Sequence, residues 1–268
     1  MPTIHVHFLP RLTTPEALSG ATVVVIDVLR ATTTITTALA AGAAQVIPCG
    51  ELDDARRIRE EFAAIRPSVA ALLGGERGGL PIEGFDLGNS PAEYTPARVE
   101  GRTIAFTTTN GTQAMLHCRQ ASQVLLGAFV NLQAVVARVR NAENLHIVCA
   151  GTQGEITRED VLAAGAIVHR LMLPDDPHAA GAWSRVELND QARLARDAWQ
   201  AALPPAELLR SNAPPQWLAK TLAETKGGRN LTRVGLAQDI ADCAALDRYP
   251  IVPELDISRW QIRACESS

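Results

Sequence analysis

The chain has 268 residues, 47% of them hydrophobic and 20% charged, with a formal net charge of -4. That composition excludes a disordered chain, which carries fewer apolar residues and more charge, and with no Lys/Arg cluster a nucleic-acid partner is not expected. The first ten residues lack the basic-then-apolar pattern of a signal peptide, and no run of about 18 apolar residues occurs, so a cytoplasmic protein without a membrane partner is expected.

His5 and His7 share one face of a short N-terminal strand; no third metal ligand lies nearby, and they read as structural or surface residues. Residues 23–27 (VVVID) read as a buried strand, 31–43 as a helix with a dense small-residue face, and 44–48 as a second strand. An amphipathic surface helix follows over 52–62, then a strand over 69–73. Residues 74–91 hold six glycines and two prolines without periodicity, the mark of a functional loop inside a compact domain. Strand and helix then alternate: strand 103–107, helix 111–119, strand 124–129, helix 132–140, strand 145–150 and a long helix 157–172. A Pro/Gly/Ala/Asp-rich connector spans 173–184. Helices are expected over 190–202, 215–225 and 232–246, with a closing strand over 251–255.

This alternation predicts a three-layer α/β/α fold with a mainly parallel sheet. One division has an N-terminal α/β lobe over 1–140 and a helix-rich α/β lobe over 141–268, with the active site in the cleft between them; the alternative is one continuous domain. A homodimer is the default assembly.

In such sheets ligands bind outside the carboxyl ends of the strands. Those ends are polar here: Asp27 with Arg30, Glu76 and Arg77 among glycines, Thr108-Thr109-Asn110-Gly111-Thr112, and Cys149 leading into Gly151. Asp27 taken alone reads as a helix cap. Thr32, Thr33 and Thr34 lower helix propensity at the start of the following helix, which points to a polar job there. The amides at 108–111 suit phosphate oxygens or form a plain Asn-Gly turn. Glu76, Glu83 and Asp86 offer hard oxygens suited to Mg²⁺, or are solvated loop acids. Cys149 is a candidate nucleophile, although a buried strand cysteine usually acts as a small hydrophobe. Glu155 stands where a cysteine-phosphatase loop needs arginine. His117, His146, His169 and His178 form no motif. The five cysteines are odd in number and lack C-x-x-C spacing, which excludes a disulfide framework and a zinc ribbon. No phosphate-binding GxxxxGK[ST] loop, dinucleotide GxGxxG turn or GxSxG elbow occurs.

Taken together, Ile26-Asp27-Val28-Leu29-Arg30-Ala31-Thr32, Gly75-Glu76-Arg77-Gly78-Gly79 with Gly84 to Pro91, Thr107 to Thr112, Cys149-Ala150-Gly151 with Glu159-Asp160, and Gly228-Arg229-Asn230-Leu231 with Gly235 and Asp239-Ile240 resemble, in order, the signatures of the 2-phosphosulfolactate phosphatase family. The resemblance covers roughly residues 3 to 250, and residues 173–215 carry no signature. It implies a Mg²⁺-dependent phosphatase that releases phosphate from 2-phospho-3-sulfolactate, a step of coenzyme M biosynthesis. In that reading Asp27 with Glu76 or Asp86 holds Mg²⁺. Arg30 and Arg77 clamp anionic groups, Thr108, Thr109, Asn110, Gly111 and Asn89 contact the substrate, and Arg229 and Asp239 reach the cleft from the C-terminal side. The attacking group is water, Asp27 or Cys149. Two rival readings stand: a phosphatase for another small phosphorylated hydroxy acid, and a non-catalytic binder of a phosphorylated metabolite.

Overall fold

The computed structural model describes residues 1–65, 70–173, 186–204 and 216–266. The connector expected at 173–184, except Leu173, lies outside the described residues, as do His178, Val69 and Pro215.

The strands are β1 Thr3–His7, β2 Thr22–Ile26, β3 Gln45–Pro48, β4 Leu72–Arg77, β5 Leu80–Pro81, β6 Thr103–Thr107, β7 Gln123–Gly127, β8 Asn144–Cys149, β9 Glu187–Leu188, β10 Ile251–Asp256 and β11 Gln261–Glu266. The helices are α1 Ala31–Ala40, α2 Leu52–Ile65, α3 Pro96–Val99, α4 Gly111–His117, α5 Leu132–Val139, α6 Arg158–Met172, α7 Asp190–Ala202, α8 Gln216–Ala223, α9 Lys226–Arg233 and α10 Gln238–Cys243. The single helix expected over 232–246 is in fact two, separated where Gly235 takes a positive φ of 82°. Glycine reaches that conformation without a Cβ clash, so a turn replaces the expected continuation.

All the strands join one mainly parallel sheet in the order β5-β4-β6-β3-β11-β10-β7-β2-β8-β1-β9. Strands from either side of residue 140 alternate in it: β2 lies hydrogen-bonded between β7 and β8. β2 shows why the layers form. Val23 and Val25 point to one face and share a core with Ile35, Ala38, Ala114 and Met115 of α1 and α4. Val24 and Ile26 point to the other and pack with Val135, Leu162 and Ala166 of α5 and α6. A strand covered on both faces reads as a continuous apolar run, and each fully buried Val or Ile contributes about 1.5–3 kcal/mol.

The expected closing strand is instead half of a hairpin. β10 pairs antiparallel with β11 and with β7, and β11 pairs antiparallel with β3. The hairpin therefore sits inside the sheet and separates two parallel sets, β4-β6-β3 and β7-β2-β8-β1-β9, that run in opposite directions. In a flat sheet their carboxyl ends would lie on opposite edges. Five strand steps separate β6 from β2, and at roughly 20–25° each they accumulate on the order of 100° of twist, which swings the two sets toward one another. The segments that follow β2 and β6 do meet: a Cβ on Gly111 would lie 2.8 Å from Asp27 Oδ2.

Candidate functional site

Asp27 follows β2 directly. Its Oδ1 accepts from the Ala31 amide at 3.2 Å, at the start of α1. The threonines of α1 do have a polar job, and it is structural. Thr32 Oγ1 accepts from the Asp27 amide and lies 2.8 Å from the Gly127 carbonyl. Thr33 Oγ1 donates to the Val28 carbonyl and Thr34 Oγ1 to that of Asn89, each at 2.9 Å. Asp160 braces the same elbow, its two oxygens accepting from the Val28 and Gly151 amides at 2.9 Å. The strand-to-helix turn that presents Asp27 is thus tied from three sides.

The Leu29–Arg30 peptide bond is cis. Arg30 is buried yet lines the cavity. One nitrogen donates to Asp239 Oδ2 at 2.6 Å and another to the Gly79 carbonyl at 3.0 Å. Asp239 is fully buried, and its second oxygen accepts from Ser90 Oγ at 2.7 Å. A guanidinium has five N–H donors, so Arg30 retains several for a ligand.

Glu76 comes from the other parallel set. Gly75 positions it: its φ is 134°, and a Cβ there would fall 1.9 Å from the Thr107 carbonyl, so only glycine lets β4 lie this close to β6. Glu76 Oε2 accepts from the Gly79 amide at 2.6 Å and Oε1 from the Thr109 amide at 2.7 Å. The amides expected to cradle phosphate are therefore partly engaged already, because the Thr108 amide donates to Thr112 Oγ1 at 3.1 Å. Gly111 packs beneath Asp27: a Cβ on it would lie 2.8 Å from Asp27 Oδ2.

These elements enclose a cavity of about 230 Å³. Asp27, Arg30, Glu76, Asn89, Thr109 and Asn110 line it, as the sequence led one to expect. Bonding capacity is unspent here. Asn89 Oδ1 and Thr109 Oγ1 are buried without a partner, and Asp27 Oδ2 accepts nothing from the described residues. Buried polar atoms are nearly always satisfied, so such orphans beside a cavity point to a ligand. Burial raises the Asp27 carboxyl to about 7; the Ala31 amide and Arg30 oppose the rise, while Glu76 and Glu159 add to it. Glu159 and Asp160 are also raised, mainly by burial.

Other expected site residues lie elsewhere. Asp86 is drawn away from the cavity: its carboxylate accepts from the Leu73 amide at 2.8 Å and pairs with Arg59, fastening the loop to β4 and α2. Cys149 is fully buried in β8, and burial pushes its thiol well up, with Asp160 and Glu159 adding to the effect. It does not line the cavity. Arg77 turns back to Thr107 Oγ1 at 2.9 Å and the Gly50 carbonyl. Thr108 is buried behind its turn, and Arg229 is exposed and donates to the Glu224 carbonyl. Asp239 does reach the site, through Arg30. Lys226, Asn230 and Arg233 of α9 line the cavity as well and were missed. Their spacing of four and three residues, one helical face, was the available signal.

Among the described residues no three His, Cys, Asp or Glu side chains form a metal-holding group. A metal here would take at most two protein carboxylates, Asp27 and Glu76. Magnesium accepts that arrangement, since it keeps several waters and completes its shell with substrate phosphate oxygens. The open Asp27 Oδ2 suits such a hydrated ion.

The family model for 2-phosphosulpholactate phosphatase matches residues 7–257. The chain is 41% identical over 239 residues to a probable 2-phosphosulfolactate phosphatase of Symbiobacterium thermophilum, covering 89% of this chain and 92% of that protein. It is 38% identical to proteins of the same name from Caldanaerobacter subterraneus subsp. tengcongensis, over 89% of each chain, and from Pseudothermotoga lettingae, over 89% of this chain and 92% of that one.

Proposed function

The chain belongs to the 2-phosphosulfolactate phosphatase family, and from that premise we propose that it hydrolyses 2-phospho-3-sulfolactate to 3-sulfolactate and inorganic phosphate, with magnesium as cofactor. It is a phosphoric monoester hydrolase. The observation that carries this reading is the convergence on one cavity of Asp27 with an open oxygen, Glu76, and an Arg30 whose orientation is set by a buried carboxylate.

Phosphoryl transfer demands positioning and charge stabilisation more than covalent chemistry from the protein. Bound magnesium supplies a Lewis acid that neutralises phosphate oxygens. Asp27 and Glu76 are the residues that would hold it. Arg30, fixed by Asp239 and the Gly79 carbonyl, donates its remaining N–H groups to the phosphoryl oxygens. Water is the attacking group in this reading: the new P–O bond forms to water, the ester P–O bond breaks, and the 2-hydroxyl of sulfolactate leaves with a proton. Cys149 has no step, because its thiol is buried outside the cavity.

No helix among the described residues is long and apolar enough to cross a membrane. A cytoplasmic enzyme of coenzyme M biosynthesis, acting as a homodimer, completes the proposal. The test is phosphate release from 2-phospho-3-sulfolactate with Mg²⁺ and with a chelator, alongside phospholactate and phosphoglycerate. Metal-dependent turnover led by the sulfonate ester is expected. Turnover of only the other esters reassigns the substrate, and release from none of them overturns the phosphatase reading in favour of a binding protein.

A further inference from the structure

The cavity has two chemically different walls. One carries Asp27 and Glu76 with Arg30; the other is the face of α9 that presents Lys226, Asn230 and Arg233. The cations on these walls are committed to different degrees. Arg30 is neutralised by Asp239 at 2.6 Å, with both side chains buried. Lys226 meets Glu155 at 2.7 Å, but that glutamate is 69% exposed, and a solvated pair of this kind is readily exchanged. Arg233 donates to Asn230 Oδ1 at 3.1 Å, and among the described residues no carboxylate stands within ion-pair distance of it. Lys226 and Arg233 thus carry positive charge on the α9 wall with no buried carboxylate paired to either, facing the same space as the Asp27 wall, while the buried Glu159 meets the helix through the Gly227 amide at 3.1 Å.

On the reading that Arg30 and a metal hold the phosphate against the first wall, the α9 wall faces the remainder of the substrate. It suits a second oxyanion on the same molecule, since planar guanidinium and ammonium donors match carboxylate and sulfonate oxygens. At about 230 Å³ the cavity is smaller than the roughly 300–1,000 Å³ of drug-sized pockets, so both anionic groups must sit on a short skeleton.

We propose that Arg233, with Asn230 against its guanidinium, and Lys226 form a subsite that binds the non-reacting oxyanion of the substrate, and so set the selectivity for short phosphate esters bearing a second strong anion. The assignment rests on the reading that the Asp27 wall takes the phosphate. Both basic side chains reach solvent, so their replacement leaves the core intact.

The test uses Arg233→Gln, Lys226→Met and the charge-restoring Arg233→Lys. Steady-state constants are measured on 2-phospho-3-sulfolactate and on phospholactate, which lacks the sulfonate. Calorimetric affinities are measured separately for 3-sulfolactate and for inorganic phosphate. Loss of a charge-assisted contact predicts KM for the sulfonate ester rising about tenfold or more in Arg233→Gln, with kcat moving less. Affinity for 3-sulfolactate falls in parallel, phosphate affinity shifts by less than about threefold, and Arg233→Lys recovers part of the loss. If phospholactate suffers as much as the sulfonate ester, the group bound is the carboxylate and the subsite stands. Equal weakening of phosphate and 3-sulfolactate, or no change in either, overturns it. Because the calorimetry needs no turnover, a protein that binds 3-sulfolactate through Arg233 yet releases no phosphate would refute the phosphatase reading while keeping the subsite.

Discussion

The carboxylates around the exit of β2 and the imidazoles on β1 and β8 are both clusters of like titratable groups, yet only the first borders the cavity described above. His7 Nε2 lies 3.0 Å from His146 Nδ1, His146 Nε2 contacts Asn144 Oδ1 at 3.1 Å, and the His5 and His146 rings stack at 4.8 Å. His146, read from the sequence as belonging to no motif, is thus the partner of the two N-terminal histidines. Burial and neighbouring imidazoles lower His7 to about 4, and His146 falls equally far, again chiefly through burial. These hydrogen bonds run within the cluster. Around Asp27 the ionisation is just as displaced, but a carboxylate oxygen is open, and Asn89 and Thr109, each with a buried oxygen that lacks a partner, line a cavity. Shifted ionisation marks both regions; unspent bonding capacity beside a space marks the functional one.

The sharpest way to break this contrast is to neutralise one member of each cluster. Asp27→Asn should lower turnover by at least about 10²-fold, the scale of losing one electrostatic stabiliser, while His7→Gln changes it less than about threefold. Phosphate-release assays on folded variants decide, and comparable losses would erase the distinction. Next in size is Asp239→Ala. It strands the Arg30 charge in the interior, so urea unfolding at pH 7 should show about 3–5 kcal/mol lost, together with turnover.

The pH dependence of stability sharpens the same comparison, because the clusters act with opposite sign. His7 and His146 titrate lower in the folded chain than when unfolded, so their stabilisation is present above pH 6.5 and lost as pH falls through about 4. Asp27 titrates higher when folded, so its contribution is present below pH 3.8 and lost as pH rises through about 7. In chelator, Asp27→Asn should flatten the loss on the alkaline side, and His146→Gln the loss on the acid side, each by on the order of 2 kcal/mol in urea unfolding across pH 4 to 8. Magnesium should stabilise the wild type more at pH 8 than at pH 5. The smallest effect is expected at Cys149→Ala, with turnover within about threefold; inactivation of a folded variant would restore the thiol as a reactant.

Much of the site was legible because strand ends carry their chemistry locally: VVVI of β2 reads as a doubly covered strand, and the residue after it falls at a sheet edge. The pairing of strands is not local. Nothing in the period-two pattern of Ile251 to Asp256 states that it joins an antiparallel hairpin between β3 and β7, so the reversal of the two parallel sets stayed hidden. Asp86 misled for a similar reason. An acidic residue in a glycine-rich loop has the same local signature whether it faces a cavity or an arginine such as Arg59, and only tertiary packing selects between them. Lys226, Asn230 and Arg233 were overlooked as one face because the expected helices stopped at 225 and resumed at 232, splitting the helix Lys226–Arg233 that carries all three.

The placement of β10 and β11 has a consequence for biosynthesis. Residues 251–266 leave the ribosome after every other strand of the sheet, yet they fill its middle. Until they emerge, β3 and β7 lack these partners and present bare edges, the kind of template on which nascent chains stick to one another. Only this late-made hairpin joins the two parallel sets into one sheet.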